Sequence, residues 1–468
     1  MAEIDLLQYE LGLVVAPAGC GKTHLITEAV QANHNDKPIL VLTHTNAGVA
    51  ALRQRMISLG IHPAKYKLIT IDGWIMRLVN MFPVRSEYNA GPHTQNPDYA
   101  AIRNGALKLV SRGHISSILR ANFSHVIVDE YQDCGPAQHA IISELANILP
   151  TCVLGDPMQG IFGWPGNPLA DWNNDVCTRF PLVGELSTPW RWDNASNSEL
   201  GLWLLRARSI LSAGQPLSLD GAPSSVYWIQ LDGNFGTDRQ RLVGAARCQH
   251  KSAGDKTLII GDSMNASSRF QIAKSIPGII TVEPVHLNEL INFSRLLDLT
   301  SARTLTVTLD FAAKVITNVG PANIVTRLET LRAGREKTPA STLELAALEL
   351  QDRPSFSSVV KVLSACSAQT GSRTYRPRIL RAAIRALNLA SGQSSPTLQE
   401  CAIRIREENR VIGRQLPDNA IGSTLLLKGL ESDHVVVLNA GELDAKNLYV
   451  AMTRGAKSVT LCSRERVF

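Results

Sequence analysis

The stretch Leu13-Val14-Val15-Ala16-Pro17-Ala18-Gly19-Cys20-Gly21-Lys22-Thr23 constrains the fold more than any other part of this 468-residue chain. Its apolar start reads as a buried strand and its glycine-bracketed middle as a tight turn. The segment from His24 to Val30 has helical character. A strand–loop–helix unit of this kind points backbone N–H groups and a helix N-terminus at phosphate oxygens. Lys22 can reach β- and γ-phosphates, and the Thr23 hydroxyl can hold Mg²⁺.

Further strands follow. Pro38–Thr43 reads as a second buried strand, and His44-Thr45-Asn46 leads a helix with Val49, Leu52, Met56 and Leu59 on one side. Residues 69–74 read as a short strand and turn, and 83–100 as a surface insertion ahead of a helix near Tyr99–Ser111. The strand His125–Val128 delivers Asp129 and Glu130 at its C-terminal end, where doubly wound sheets place ligands. Asp129 is thus a candidate Mg²⁺ ligand and Glu130 a candidate base for water. In Gly155-Asp156-Pro157-Met158-Gln159, the Gln159 amide can donate to a γ-phosphate oxygen and orient water. Phe162 and Trp164 lie in a Gly/Pro-rich turn and have two readings, a stacking platform for bases or core filling. More strands are expected at Thr257–Gly261, His434–Leu438 and Ser458–Cys462, and residues 281–415 read as mostly helical.

Composition adds limits. No apolar run approaches the roughly 18 residues of a membrane span. The acidic first ten residues lack the basic start of a signal peptide, and the eight cysteines are scattered with no CxxC pair. These features predict a cytoplasmic protein with reduced thiols and no zinc site. The net charge of +6 fits a nucleic-acid partner.

The ordered set A-P-A-G-C-G-K-T, T-H-T-N, V-D-E-Y-Q-D, G-D-P-M-Q-G-I-F-G-W, P-W-R-W, L-K-G-L-E and Y-V-A-M-T-R resembles the UvrD/Rep/PcrA helicases of superfamily one. The resemblance implies an α/β fold of two RecA-like P-loop domains with parallel sheets and helical insertions, and ATP with Mg²⁺ between them. The expected bounds are 1–76 with 121–189 for the first RecA-like domain and 190–280 with 416–468 for the second. Insertions are expected at 77–120 and 281–415. By the same resemblance Ala16, Gly19, Gly21, Lys22 and Thr23 bind the nucleotide phosphates, Trp190 stacks on adenine and Glu431 contacts ribose. Thr23 and Asp129 hold the metal. Glu130, Gln159, Arg191 and Arg454 act in hydrolysis, with Arg454 an arginine finger from the other RecA-like domain. His44, Thr45, Asn46, Thr70, Phe162 and Trp164 face single-stranded or partly duplex DNA.

The sequence departs from the family pattern on the DNA side. Asp72 replaces the histidine of a T-F-H-G motif, His44 stands where an aromatic is usual, and Leu425 takes a usual histidine position. Hydrolysis is therefore better supported than efficient unwinding. The chain is shorter than typical members and ends 14 residues after Arg454, so no appended nuclease domain is expected. Two functions follow. One is a DNA translocase or helicase moving 3′ to 5′. The other is a DNA- and nucleotide-sensing ATPase that regulates a partner nuclease in phage defence. Residues 373–414 hold nine arginines against three glutamates. Within them Arg378, Arg381 and Arg385 form a helical stripe opposite Leu380, Ala383, Ile384 and Leu387. The stripe reads as a duplex-phosphate surface, a partner surface or a solvated face.

Overall fold

The computed structural model describes residues 4–88, 98–164, 166–248, 251–392, 396–411 and 417–468. Among the described residues the strands are β1 (Leu11–Val15), β2 (Ile39–Thr43), β3 (Tyr66–Thr70), β4 (Val126–Val128), β5 (Thr151–Gly155) and β6 (Leu182–Glu185). They continue with β7 (Val226–Gln230), β8 (Thr257–Ile260), β9 (Ile280–Thr281), β10 (Asn419–Gly422), β11 (Ser432–Val437) and β12 (Gly455–Ser463). The chain packs as two compact units, Met1–Gly233 with Lys428–Phe468, and Asn234–Leu427.

In the first unit β1–β6 form one parallel sheet in the order β3-β2-β4-β5-β1-β6. Its central strands are apolar runs buried on both faces, as parallel sheets require. The same unit holds the parallel ladder β7-β12-β11. The second unit contains the parallel ladder β8-β10-β9 and a helical core built on Leu290, Leu309, Val362, Ala383 and Ala402. This is the α/β, parallel-sheet architecture with helical additions that was expected. The expected bound at 280/281 falls inside the second unit, and the one at 415/416 lies outside the described residues.

The helix α1 (Lys22–Ala32) follows β1, and α2 (Asn46–Ser58) follows β2. On α2, Val49, Leu52 and Met56 are buried as expected, whereas Leu59 lies past the helix end and is exposed. Residues 69–74 are not a strand and turn. Thr70 ends β3 and caps α3 (Ile71–Met81), its hydroxyl accepting from the Gly73 N–H at 3.1 Å. Trp74, Ile75, Leu78 and Val79 then bury one helical face, so a 3.6-residue period overrides the local turn signal of Asp-Gly. Most of the expected insertion at 83–100 lies outside the described residues, while the helix Tyr99–Ser111 has the expected ends.

The basic segment is largely spent on the second unit's own structure. Arg373 donates to the carbonyls of Ala273 (2.8 Å) and Ile279 (3.3 Å). Arg376 makes a buried bidentate pair with Glu283 at 2.6 and 2.8 Å. On the helix Pro377–Ala390, Leu380, Ala383 and Leu387 are buried as expected. The stripe on the other side is not wholly free, because Arg378 donates to the Asn409 carbonyl at 3.2 Å and Arg385 pairs with Glu408 at 2.6 Å. Arg381 is exposed; Arg414 and the side chain of Arg410 lie outside the described residues. Glu283→Ala should lower stability by about 3–5 kcal/mol, because it leaves Arg376 an uncompensated buried charge. Urea unfolding checks this, and a shift below 1 kcal/mol would mean that water or Glu289, 3.8 Å from Arg376, takes over.

Candidate active site

The loop after β1 and the acids after β4 meet because β5 alone separates these two parallel strands. Ala16 is buried and donates to the Gly155 carbonyl at 2.8 Å, which locks the loop's entry. Gly19 and Gly21 have φ of 71° and 95°, a region that disfavours side chains. A Cβ on Gly19 would lie 2.6 Å from the Trp192 ring, and one on Gly21 3.1 Å from Trp190 Cδ1. The loop is thus moulded against the Pro189-Trp190-Arg191-Trp192 segment. The Arg191 N–H donates to the Gly19 carbonyl at 3.1 Å, and the Trp192 indole N–H to the Gly455 carbonyl at 2.9 Å. Tyr449 adds a third clamp, its hydroxyl accepting the Ala18 N–H at 3.2 Å.

Lys22 opens α1 and turns its ammonium onto both acids, 3.0 Å from Asp129 and in contact with Glu130. Burial opposes the Lys22 charge, but the two carboxylates outweigh it and hold the amine above its ordinary pKa. Burial pushes the Asp129 carboxyl up, with Lys22 opposing. For Glu130 burial also raises the pKa, but Lys22 and then Lys428 prevail and hold it down to about 2. Glu130 sits at φ 56°, a left-handed conformation that costs a bulky residue roughly 1–3 kcal/mol and clusters at functional sites. Its carboxylate accepts from the Gln132 amide.

Gln159 is buried, its side-chain nitrogen 3.1 Å from Asp156 Oδ2 and its backbone carbonyl accepting from Lys428 at 2.5 Å. Lys428 also pairs with buried Asp133 at 2.5 and 2.7 Å, and its ammonium lies 4.6 Å from the Phe162 ring centre. On the opposite flank Arg191 donates to the Thr453 carbonyl at 2.6 Å and pairs with Glu431, which is mostly exposed. Arg454 is buried, and its guanidinium bonds the Val450 carbonyl (2.8 Å), the Leu430 carbonyl (3.3 Å) and the Thr453 hydroxyl (2.9 Å). Burial pushes its pKa down to about 10, and nearby Arg191 adds to that. Trp190 is partly exposed beside Gly21.

The chemistry of the donor set fits a bound nucleoside triphosphate. Lys22, Arg191, Lys428 and Arg454 gather in one unit around the loop, and the Arg191 Nε–H is buried without a hydrogen-bond partner. Thr23 is exposed on the first turn of α1 beside this cluster. Its hydroxyl and Asp129 would hold Mg²⁺, a cation satisfied by one or two protein oxygens with water and phosphate completing its shell.

The residues expected to face DNA are spread more widely. His44 stacks on Phe162, ring centres 6.0 Å apart and planes 2° from parallel, and its Nε2 is buried without a partner. Thr45 caps α2 by accepting the Gly48 N–H at 3.1 Å, and Asn46 is the first residue of that helix. Thr70 is engaged as the α3 cap. Asp72 makes a bidentate pair with Arg103 at 2.9 and 2.7 Å and accepts from Gln138 at 3.1 Å, so this departure from the family pattern has a structural use. Of the two turn aromatics, Phe162 is partly buried between His44 and Lys428, while Trp164 is 54% exposed, which removes its core-filling reading.

Against known proteins, residues 84–173 match the family model described as the UvrD/REP helicase N-terminal domain, a stretch that holds Asp129, Glu130, Gln159, Phe162 and Trp164. This chain is UvrD/Rep/PcrA-like. One UvrD-like relative is the larger-named component of an ATP-dependent helicase/nuclease of Lacticaseibacillus casei, 34% identical over 83 residues, which cover 16% of this chain and 7% of the relative. Another is the ATP-dependent DNA helicase PcrA of Staphylococcus epidermidis, 47% identical over 45 residues, 9% of this chain and 6% of that helicase. The chain thus matches less than a tenth of the length of either relative. Among the described residues no helix is long and apolar enough to cross a membrane.

Sequence reading missed three parts of this UvrD-like site. Asp156 lies inside a motif it quoted but carried no assigned role, Tyr449 likewise, and Arg208, which pairs with Asp156, carries no local signal at all.

Proposed function

We propose that this chain is an ATP-dependent DNA translocase or helicase of the cytoplasm, moving 3′ to 5′ on single strands. The carrying observation is the convergence of Lys22, Asp129, Glu130, Gln159, Arg191 and Arg454 within one compact unit. Mg²⁺ and the triphosphate, when bound, supply the scissile bond and the cation that neutralises its charge. The residues' parts follow from their placement. Lys22 exchanges its carboxylate partners for phosphate oxygens, which leaves Glu130 free to accept a proton from water. Gln159 orients that water, and Arg191 and Arg454 offset the charge that builds at the leaving oxygens. Trp190 and Glu431 flank the nucleotide's base and ribose.

The resemblance to helicases, the exposed Trp164 and the His44–Phe162 stack support the DNA partner. ATP hydrolysis should therefore rise with single-stranded DNA. Trp164→Ala should weaken DNA binding about ten-fold while sparing the basal rate, since base stacking contributes about 1–3 kcal/mol per base. A Trp164→Ala chain with unchanged DNA dependence would remove Trp164 from the DNA path. Strand displacement on duplexes with 3′ or 5′ tails tests polarity. The second reading, a DNA-sensing ATPase that regulates a partner nuclease, is favoured by one observation. Asp72, at a DNA-motif position, is occupied by Arg103 and Gln138. DNA-stimulated hydrolysis without strand displacement on either tail would select that reading.

A further inference from the structure

We propose that Arg208 is a positioning residue for hydrolysis, acting on Gln159 through Asp156; the proposal rests on the ATPase reading above. Arg208 lies on the helix Ser198–Ser212, outside every nucleotide motif. Its Nε and Nη2 are both 3.0 Å from Asp156 Oδ1, and its Nη1 is 3.3 Å from Glu185. Asp156 is fully buried at the end of β5. Its Oδ1 also accepts the Met158 N–H at 3.1 Å, and its Oδ2 accepts the Gln159 side-chain amide at 3.1 Å. Its own N–H donates to Gln132 Oε1 at 3.1 Å, and the Gln132 amide bonds the Glu130 carboxylate. One buried carboxylate therefore touches, directly or through one side chain, both groups assigned to water.

The physical argument is about polarity. A side-chain amide can present either its oxygen or its nitrogen to a neighbour. A carboxylate only accepts, so Asp156 fixes the Gln159 nitrogen toward itself and sets where the amide oxygen and the second N–H point. A carboxylate this buried is costly without a paired cation, and Arg208 supplies that cation. Gly155 completes the device, because a Cβ there would come within 2.6 Å of Gln132 Oε1.

The test compares wild type with Arg208→Met, Arg208→Lys, Gln159→Ala and the Arg208→Met/Gln159→Ala pair. It reads kcat and KM for ATP, and the binding of ADP and of a non-hydrolysable ATP analogue. Arg208→Met should lower kcat about 10²-fold, the cost of a small misplacement of a catalytic group. ADP binding should stay near wild type, while the preference for the analogue over ADP falls. Arg208→Lys should recover part of the rate. Added to Gln159→Ala, Arg208→Met should cause little further loss, since residues in one network are not additive. Should Arg208→Met fail to fold, the Asp156→Asn/Arg208→Met pair removes both charges and should show the same kcat loss in a folded chain. The proposal is overturned by a folded Arg208→Met with wild-type kcat, by equal losses of ADP and analogue binding, or by losses that multiply with Gln159→Ala. A wild-type chain that does not hydrolyse ATP overturns the ATPase reading and this role together. A hydrolysing wild type with an indifferent Arg208 overturns the role alone.

Discussion

Lys22→Ala is expected to reduce ATP hydrolysis to background, a loss of roughly 10³-fold or more, at the upper end of what removing one preorganised charge-stabilising donor costs. Lys22 is the single cation of the loop Ala16–Thr23 and its ammonium already spans Asp129 and Glu130. Alanine removes the phosphate contact and also leaves two adjacent buried carboxylates without their shared partner. Steady-state hydrolysis by a purified variant, with circular dichroism confirming the fold, decides the matter. Turnover near wild type in a folded Lys22→Ala chain would sink the assignment. Glu130→Gln separates the two parts of the cluster. It keeps the side-chain shape in the left-handed backbone position, so Mg·ATP binding should persist while hydrolysis stalls. Loss of both together would make Glu130 structural.

Arg454→Ala should slow hydrolysis by something like 10³-fold, the lower bound for an arginine finger, with a much smaller fall in nucleotide affinity. The side chain is buried and held by the Val450 and Leu430 carbonyls and the Thr453 hydroxyl, so its reach is preset by its own helix and the preceding loop. Glu130 and Glu431 are close enough to act on its charge, which places it beside the candidate base and the Arg191–Glu431 pair. Arg454→Lys keeps one charge but loses the planar fork, so it should recover only a small part of the rate. Single-turnover kinetics alongside nucleotide titration check both variants. Rate and affinity that fall in parallel would make Arg454 a ground-state contact.

The loop glycines, the buried strands and the pair Asp129-Glu130 were legible in the sequence because each is a local signal. A positive φ needs glycine, a two-sided parallel strand needs a continuous apolar run, and acids at a strand's end need only the strand's length. The helical character of residues 281–415 was legible for the same reason, through periodicity. Other features depend on partners far away in the chain. Thr70–Gly73 looked like a turn until the buried face of α3 outweighed it. Asp72 looked like a lost DNA contact, yet Arg103 and Gln138 give it a structural use. The arginine stripe looked free until Asn409 and Glu408 met Arg378 and Arg385. The sequence by itself determined which segments become strands and helices and which loop can cradle phosphate, because those choices rest on backbone geometry within a few residues. Only the tertiary structure decided what each charge is paired with. A buried charge takes its partner from whatever the fold brings within about 3 Å, and Arg208 meets Asp156 from 52 residues away.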